Sequence, residues 1–318
     1  MDAACGGLVL EVINFMTLNN YWRGAGLALF AAACWGLISP IAKVLSAAGM
    51  DLMSVMVFRS LFTMTSVGVG LLVMGKFDVF RVDRETLRFY LISGILSVAF
   101  SGGGFLTSLE YLTVAEALVI HYTFPLAAII GSLFITRERP TFLQTAAGLL
   151  IVAGVYIGMG GSVEAMKTIS LPGLLWGLLA VFGMAGQALA ARRFSLSHKM
   201  NEFGLLFYSN VFGVVLLFLF KTFYYGWDDL CCLTVPLFSI MTLQAITGSL
   251  LAYGSFFAAL KYIPAAVASL LCTLEIVVAV GLTALFVDQI PSAHEIAGCL
   301  LILVAIVCTS IPPRKRDR

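Results

Sequence analysis

The sequence predicts an all-α membrane protein of ten transmembrane helices, built as two inverted five-helix repeats. Composition is the first reason: of 318 residues 60% are hydrophobic and 11% charged, and mean hydropathy is +1.01. Soluble domains carry about 25% charge, so this chain has too little polar surface to cover a water-soluble globule. The second reason is the number of apolar stretches. A span needs about 20 apolar residues to cross roughly 30 Å of hydrocarbon. Ten such stretches occur, at 24–47, 52–75, 88–109, 112–136, 143–161, 171–191, 203–221, 238–260, 263–287 and 294–311. The third reason is internal repetition. A shift of 151 residues lays GGFLTSLEYLTVAEAL, from Gly103, over GSFFAALKYIPAAVAS, from Gly254, with no gap up to Pro140 and Pro291. Five spans are an odd number, so the second copy inserts upside down, and two such bundles can rock about a site between them.

Loop charge predicts the orientation. With the amino terminus in the cytoplasm, 15 of the 19 Lys and Arg fall on the inner side. Lys167 and Lys221 fall outside, and Lys43 and Arg59 lie within spans. That is the positive-inside pattern, and adding or removing one span destroys it. The expected organisation is a cytoplasmic leader at 1–23, a first repeat at 24–161, a second at 171–311 and a basic cytoplasmic tail at 312–318. The leader carries Asp2 and Glu11 where a cleavable signal peptide needs positive charge. A net charge of +2 without an aromatic–basic patch points to no nucleic-acid partner. The seven cysteines match no zinc spacing, and the adjacent Cys231 and Cys232 are too close in sequence to bridge without strain.

Taken in order, the spans differ in their polar groups. Span one carries Trp35 and, near its outer end, Lys43, which is read as snorkelling. Span two holds Arg59, which either forks onto a substrate carboxylate, pairs with Glu116, or snorkels. Span three has Ser101-Gly102-Gly103-Gly104 at its centre, and span eight has Tyr253-Gly254-Ser255 in the equivalent place. Glycines weaken a helix by about 1 kcal/mol each against alanine. Gly102, Gly103, Gly104 and Gly254 are therefore either hinges of a transport site or close-packing points. Span four contains Glu116, placed at the outer mouth, and His121, either a proton relay or an imidazole bonded to a carbonyl. Gly154 and Gly158 of span five form a GxxxG pair, read as packing, with a homodimer as the other option. Spans six and seven contribute Gln187, Tyr208 and Asn210.

Glu275 in span nine is the sharpest candidate. It lies 11 residues beyond Pro264, about 16 Å along a helix and so near the bilayer centre. An ionisable group at that depth is costly and functional by default: a partner for a substrate amine, a proton-coupling site, or a protonated packing residue. His121 maps onto Cys272, one helical turn from Glu275, so His121 and Glu275 are expected to face one cavity from opposite halves. Trp35, Gln187 and Tyr253 complete the expected lining.

The run CWGLISPIAK with Trp35, Pro40 and Lys43, Tyr111 and the small residues after it, Pro125, and Arg137-Glu138 resemble the drug/metabolite transporter superfamily. In the second half Tyr262, Pro264, Ala265 to Ser269 and Leu274-Glu275 do the same. The closer resemblance is to bacterial permeases with two EamA-type repeats, over residues 24–311. Arg137 departs from the usual glycine, Gln289 from an acidic residue and Ile276 from a common proline. The resemblance implies transport of amino acids, nucleosides, other metabolites or drugs.

The function expected is that of a secondary transporter, an exporter or exchanger of a small organic solute such as an amino acid or drug-like molecule, working by alternating access with protons as a coupling partner. No cofactor is implied, since GxxxxGK[ST] does not occur. The rival classes are an intramembrane enzyme and a non-transporting assembly protein. The enzyme is disfavoured because His121, His198 and His294 fall in separate regions and neither HExxH nor GxSG occurs.

Overall fold

A computed structural model describes residues 2–108, 111–112, 114–160, 170–286 and 291–310. The side chains of 2–18 and of Ser39, Lys43, Val114, Ala115, Thr283 and Phe286 are outside that description. The snorkelling of Lys43, the roles of Lys167 and Gln289 and the basic tail therefore lie outside the described residues. Among those described, nine helical segments are long and apolar enough to cross a membrane, and a shorter tenth runs Phe142–Gly158.

Span one is α1 (Asp2–Gly36) followed, after a break at Leu37, by α2 (Ile38–Ala47); the expected leader is thus continuous helix with it from Asp2. Span two is α3 (Leu52–Val73). Span three is α4 (Arg84–Gly94), a π-helical segment Ile95–Gly103, and α5 (Gly104–Ser108). Span four is α6 (Val114–His121) and α7 (Phe124–Phe134), and span five is α8 (Phe142–Gly158). Spans six and seven are α9 (Leu171–Ser197) and α10 (Glu202–Tyr224). Span eight is α11 (Val235–Ala245), a π-helical segment Ile246–Leu251, and α12 (Ala252–Ala259). Span nine is α13 (Ala265–Cys272) and α14 (Leu274–Phe286), and span ten is α15 (Ala293–Ser310).

Local chemistry sets where these helices start. Asp51 accepts from the Met53 amide at 2.7 Å, and Asp83 accepts from the amides of Glu85 and Thr86. Thr141 and Gln144 form a reciprocal capping box. Ser170 caps α9 ahead of Pro172, and Asn201 caps α10. Such side chains satisfy amides that have no partner within the helix.

The two halves repeat their irregularities as well as their helices. The π segments begin at Ile95 and Ile246, and spans four and nine break just after His121 and Cys272; both pairs are 151 apart. Packing is reciprocal too. Span one packs on span eight as span six packs on span three, while span two meets span seven and span five meets span ten. That pattern is a pseudo-two-fold relation, the arrangement of an inverted repeat.

The loops gather into two sets. Arg192 with Glu138, Lys261 with Glu202, His198 with Glu85, and the Arg23 guanidinium over the Tyr262 ring share one end. Asp51 with Lys221 and Ser170 with the Tyr111 carbonyl share the other. These are the two sides into which the charge count divides the loops. Lys221, however, is no loop residue. It closes the last turn of α10 and is 1% exposed.

The GxxxG pair of span five is occupied inside the chain. A Cβ at Gly154 would lie 3.0 Å from the Gly298 carbonyl, and Gly158 faces the Gly298 Cα. Close backbone approach of span five to span ten accounts for these glycines, so a homodimer would need another surface.

Candidate functional site

A cavity lies where spans two, three, seven and eight converge. Arg59 and Ser60 reach it from α3, Ser97 from the first π segment, Ser209 and Asn210 from α10, and Ser249 and Tyr253 from the second π segment and the turn after it. Met56, Val98, Leu206 and Phe257 complete its walls. Both halves therefore contribute the same elements to it. Aligning the helix caps Asp51 and Asn201 sets Arg59 opposite Ser209 and Ser60 opposite Asn210. The π segments explain the polar lining. A π bulge widens the helix and re-aims its side chains, and such bulges collect at functional sites.

The polar atoms divide by role. Ser97 and Ser209 donate their hydroxyl protons to carbonyls one turn back, those of Ser93 and Leu205, and the Asn210 amide nitrogen donates to Leu206 O at 2.8 Å. Each keeps acceptor lone pairs free. Arg59 is the donor of the set, and among the described residues its guanidinium makes no ion pair. The cavity is narrow. It has room for about one water molecule.

Trp35, Tyr253 and Arg59 are brought together. The Trp35 ring stands 5.1 Å from that of Tyr253, and its Nε1 donates to the Gly248 carbonyl at 3.1 Å, inside the second π segment. Gln187 is fully buried beside Tyr253; its Nε2 points at Met184 Sδ, and its Oε1 has no hydrogen-bond partner. Glu275 opens the second half of span nine, and among the described residues it forms no ion pair with Arg59. His121 stands apart. Its ring packs on Phe105 at 4.8 Å and on Tyr122 and Phe124, its Nδ1 has no partner, and it does not line the cavity. Neither His121 nor Glu275 is among the residues that line this cavity.

The glycines behave differently from one another. Gly102 and Gly103 lie in the first π segment, where a Cβ at Gly102 would collide with the Met56 methyl and one at Gly103 would fall 3.2 Å from Leu217. Gly104 lets span three approach the backbone of span six, a Cβ there falling 3.1 Å from Trp176 O. Gly254 has ordinary room, 3.4 Å to Leu206.

Two ion clusters between the repeats do not figure among the sequence candidates. At one end Lys221 Nζ lies 2.5 Å from Asp51 Oδ2 and 3.3 Å from Asp229 Oδ1. At the other, Arg192 donates through Nε and Nη2 to Glu138 Oε1 and through Nη1 to Leu260 O at 3.0 Å. The resemblance marks Glu138 as a helix end, but nothing local in sequence announces its partner 54 residues on.

The model of the EamA-like transporter family matches this chain twice, at residues 22–159 and 171–311. Curated relatives described as the uncharacterized inner membrane transporter YhbE, from Escherichia coli K12, Escherichia coli O157:H7 and Shigella flexneri, are each 28% identical over 166 residues. The match takes in 51% of this chain and 50% of theirs, so the chain spans about half the length of the curated relatives it matches. A solved crystal structure superposes with a TM-score of 0.75 at 16% identity, covering 90% of this chain and 96% of that one, a likeness of fold. A duplicated ten-span bundle matched by the same family model in each half belongs to the EamA-like transporter family.

Proposed function

We propose that the protein is a secondary transporter of the inner membrane that exports or exchanges a small zwitterionic metabolite of the amino-acid kind by alternating access. The observation that carries this reading is the cavity lined by matched elements of both repeats, with an Arg59 guanidinium that makes no ion pair among the described residues. Arg59 offers a fork for a carboxylate. Ser97, Ser209 and Asn210, their protons engaged on their own helices, offer acceptors to an amine or hydroxyl. Glu275, at the start of the second half of span nine, adds an acidic group for the amine.

The two ion clusters would act as gates. Asp51–Lys221 and Glu138–Arg192 each join one repeat to the other, at opposite ends of the bundle, and both are made in this conformation. Rocking the repeats opens one while the other stays closed. Glu275 is the proposed coupling group. Both termini would lie in the cytoplasm, as the charge count requires.

Counterflow in proteoliposomes tests the reading. Vesicles loaded with single unlabelled amino acids, amines or monocarboxylates are diluted into the labelled compound. Accumulation is expected for amino acids alone, lost in Arg59→Gln. Glu275→Gln is expected to abolish pH-driven uptake while leaving exchange. Equal counterflow by Arg59→Gln, or flux of none of the three classes, would refute the assignment, and unchanged pH dependence would remove Glu275 from coupling.

A further inference from the structure

We infer that Cys231 and Cys232 form a dithiol site for trivalent arsenicals at the end of the bundle that carries the Lys221 cluster. The two sulfurs stand 3.9 Å apart; both thiols are free, Cys231 exposed and Cys232 half-buried. A disulfide would need them at about 2.05 Å, on adjacent residues, with strain. Two sulfurs held at ~2.3 Å by one tetrahedral centre stand ~3.8 Å apart, close to the spacing found here. A pyramidal arsenic draws them only slightly closer. One bridging atom therefore fits where a direct bond does not.

The occupant follows from what the site lacks. A metal ion would need further protein ligands, and among the described residues no group of three or more His, Cys, Asp or Glu stands ready to hold one. An organoarsenical brings its own third substituent. The hydrogen bond shared by the two thiols pushes the Cys232 thiol up, and the arsenical binds by condensation with both thiols. In that step two As–O bonds of the arsenous acid break and two As–S bonds form. Each thiol proton leaves with a hydroxide as water, and no oxidation state changes.

The site is mechanically placed. The short 3₁₀ turn Asp228–Cys232 also carries Asp229, which contacts Lys221 and accepts the Asp51 amide at 3.1 Å. Cys232 rests on Gly49, whose φ of +87° forms the turn between spans one and two; a Cβ there would lie 3.4 Å from Sγ. A bridge across the two sulfurs stiffens this turn against the facing repeat. The inference does not depend on the cargo.

The test is to treat the purified protein in detergent with phenylarsine oxide. One arsenical per chain is expected, retained through excess monothiol, released by dithiothreitol, and mapped by digestion to the peptide holding both cysteines. Capture is expected to be lost in C231S and in C232S, and amide exchange across residues 228–232 to slow on binding. Release by monothiol, or arsenic mapping to another cysteine, overturns the proposal without reference to any variant's folding. Undiminished capture by either serine variant overturns it as well.

Discussion

Lys221→Met removes the charge of a buried lysine and keeps much of its stem. The ammonium lies 2.5 Å from Asp51 Oδ2 and 3.3 Å from Asp229 Oδ1, with the rings of Tyr225 and Trp227 at 5.4 and 5.8 Å. The Asp51 contact is the directed one. Asp229 Oδ1 has no hydrogen bond of its own, so it contributes through charge alone. In the variant two carboxylates, 28% and 10% exposed in their side chains, face each other without a cation. Breaking a buried pair from one side costs about 3–5 kcal/mol. Asp51 is part-exposed and still caps α3 through Met53, so the lower end, about 3 kcal/mol, is expected.

The assay is reversible unfolding by sodium dodecyl sulfate in mixed micelles, comparing wild type, Lys221→Met, and the triple variant Lys221→Met/Asp51→Asn/Asp229→Asn. Asparagine caps a helix as well as aspartate does. Removing all three charges together is thus expected to recover stability to within about 1 kcal/mol, because well-packed neutral replacements of buried pairs are often neutral or better. Two results would refute the reasoning: a single variant as stable as wild type, or a triple variant no better than the single. The first would mean that water already screens the cluster, and the second that the lysine stem rather than its charge holds the end together.

Arg137 has φ = +57°, a conformation costing an L-residue about 1–2 kcal/mol. Arg137→Gly relieves that and returns 0.4–1 kcal/mol to the flexible unfolded chain, so a net gain of about 0.5–1 kcal/mol in the same unfolding assay is expected. Gly298→Ala places a methyl 2.7 Å from the Gly158 Cα. Backbone cannot move aside as a side-chain tip can, and a loss of about 1–3 kcal/mol is expected, read as a lower unfolding midpoint. The Thr86 hydroxyl and the Thr86 and Glu85 amides hold the Asp83 carboxyl below its usual range. Its contribution is therefore complete above the unfolded value of about 3.9 and fades as pH falls through the lower folded value. Amide exchange at Glu85 and Thr86 should be level from neutral pH down to about 5 and quicken only in stronger acid, once corrected for intrinsic rates, while Asp83→Ala is faster throughout.

What was legible in the sequence follows from what produces each signal. The spans were legible because hydrocarbon imposes length and composition on each one independently. Their inversion was legible because loop charge is a one-dimensional count. The breaks at Thr123 and Thr273 are not legible, since a helix apolar on every face has no periodicity to interrupt; Pro125, in the first turn of α7, is the available clue. Trp35, Arg59 and Tyr253 are legible as candidates because a polar tip in an apolar run stands out by itself. Arg192 and Lys221 were read only as charges at span ends, because pairing with residues 54 and 170 positions away is a property of packing. Ser60, Ser97, Ser209 and Ser249 were missed for a related reason. A serine within a span is common, and only the π segments decide that these face inward.

The repeat also separates what is shared from what is not. Bulges and breaks recur at equivalent positions, yet the polar candidates do not. Glu275 corresponds to Phe124, Tyr253 to Gly102, and Cys272 to His121. A scaffold that is symmetric under inversion has two tilted forms of similar energy by construction, which alternating access requires. A solute that bound both forms through equally matched groups would shift nothing between them. On the proposed transport reading, groups present in one copy alone supply that difference, as Glu275 and Tyr253 do opposite Phe124 and Gly102. Were Phe124 an acid as well, it would stand in the aromatic cluster where Phe124 now packs on His121 and Tyr122.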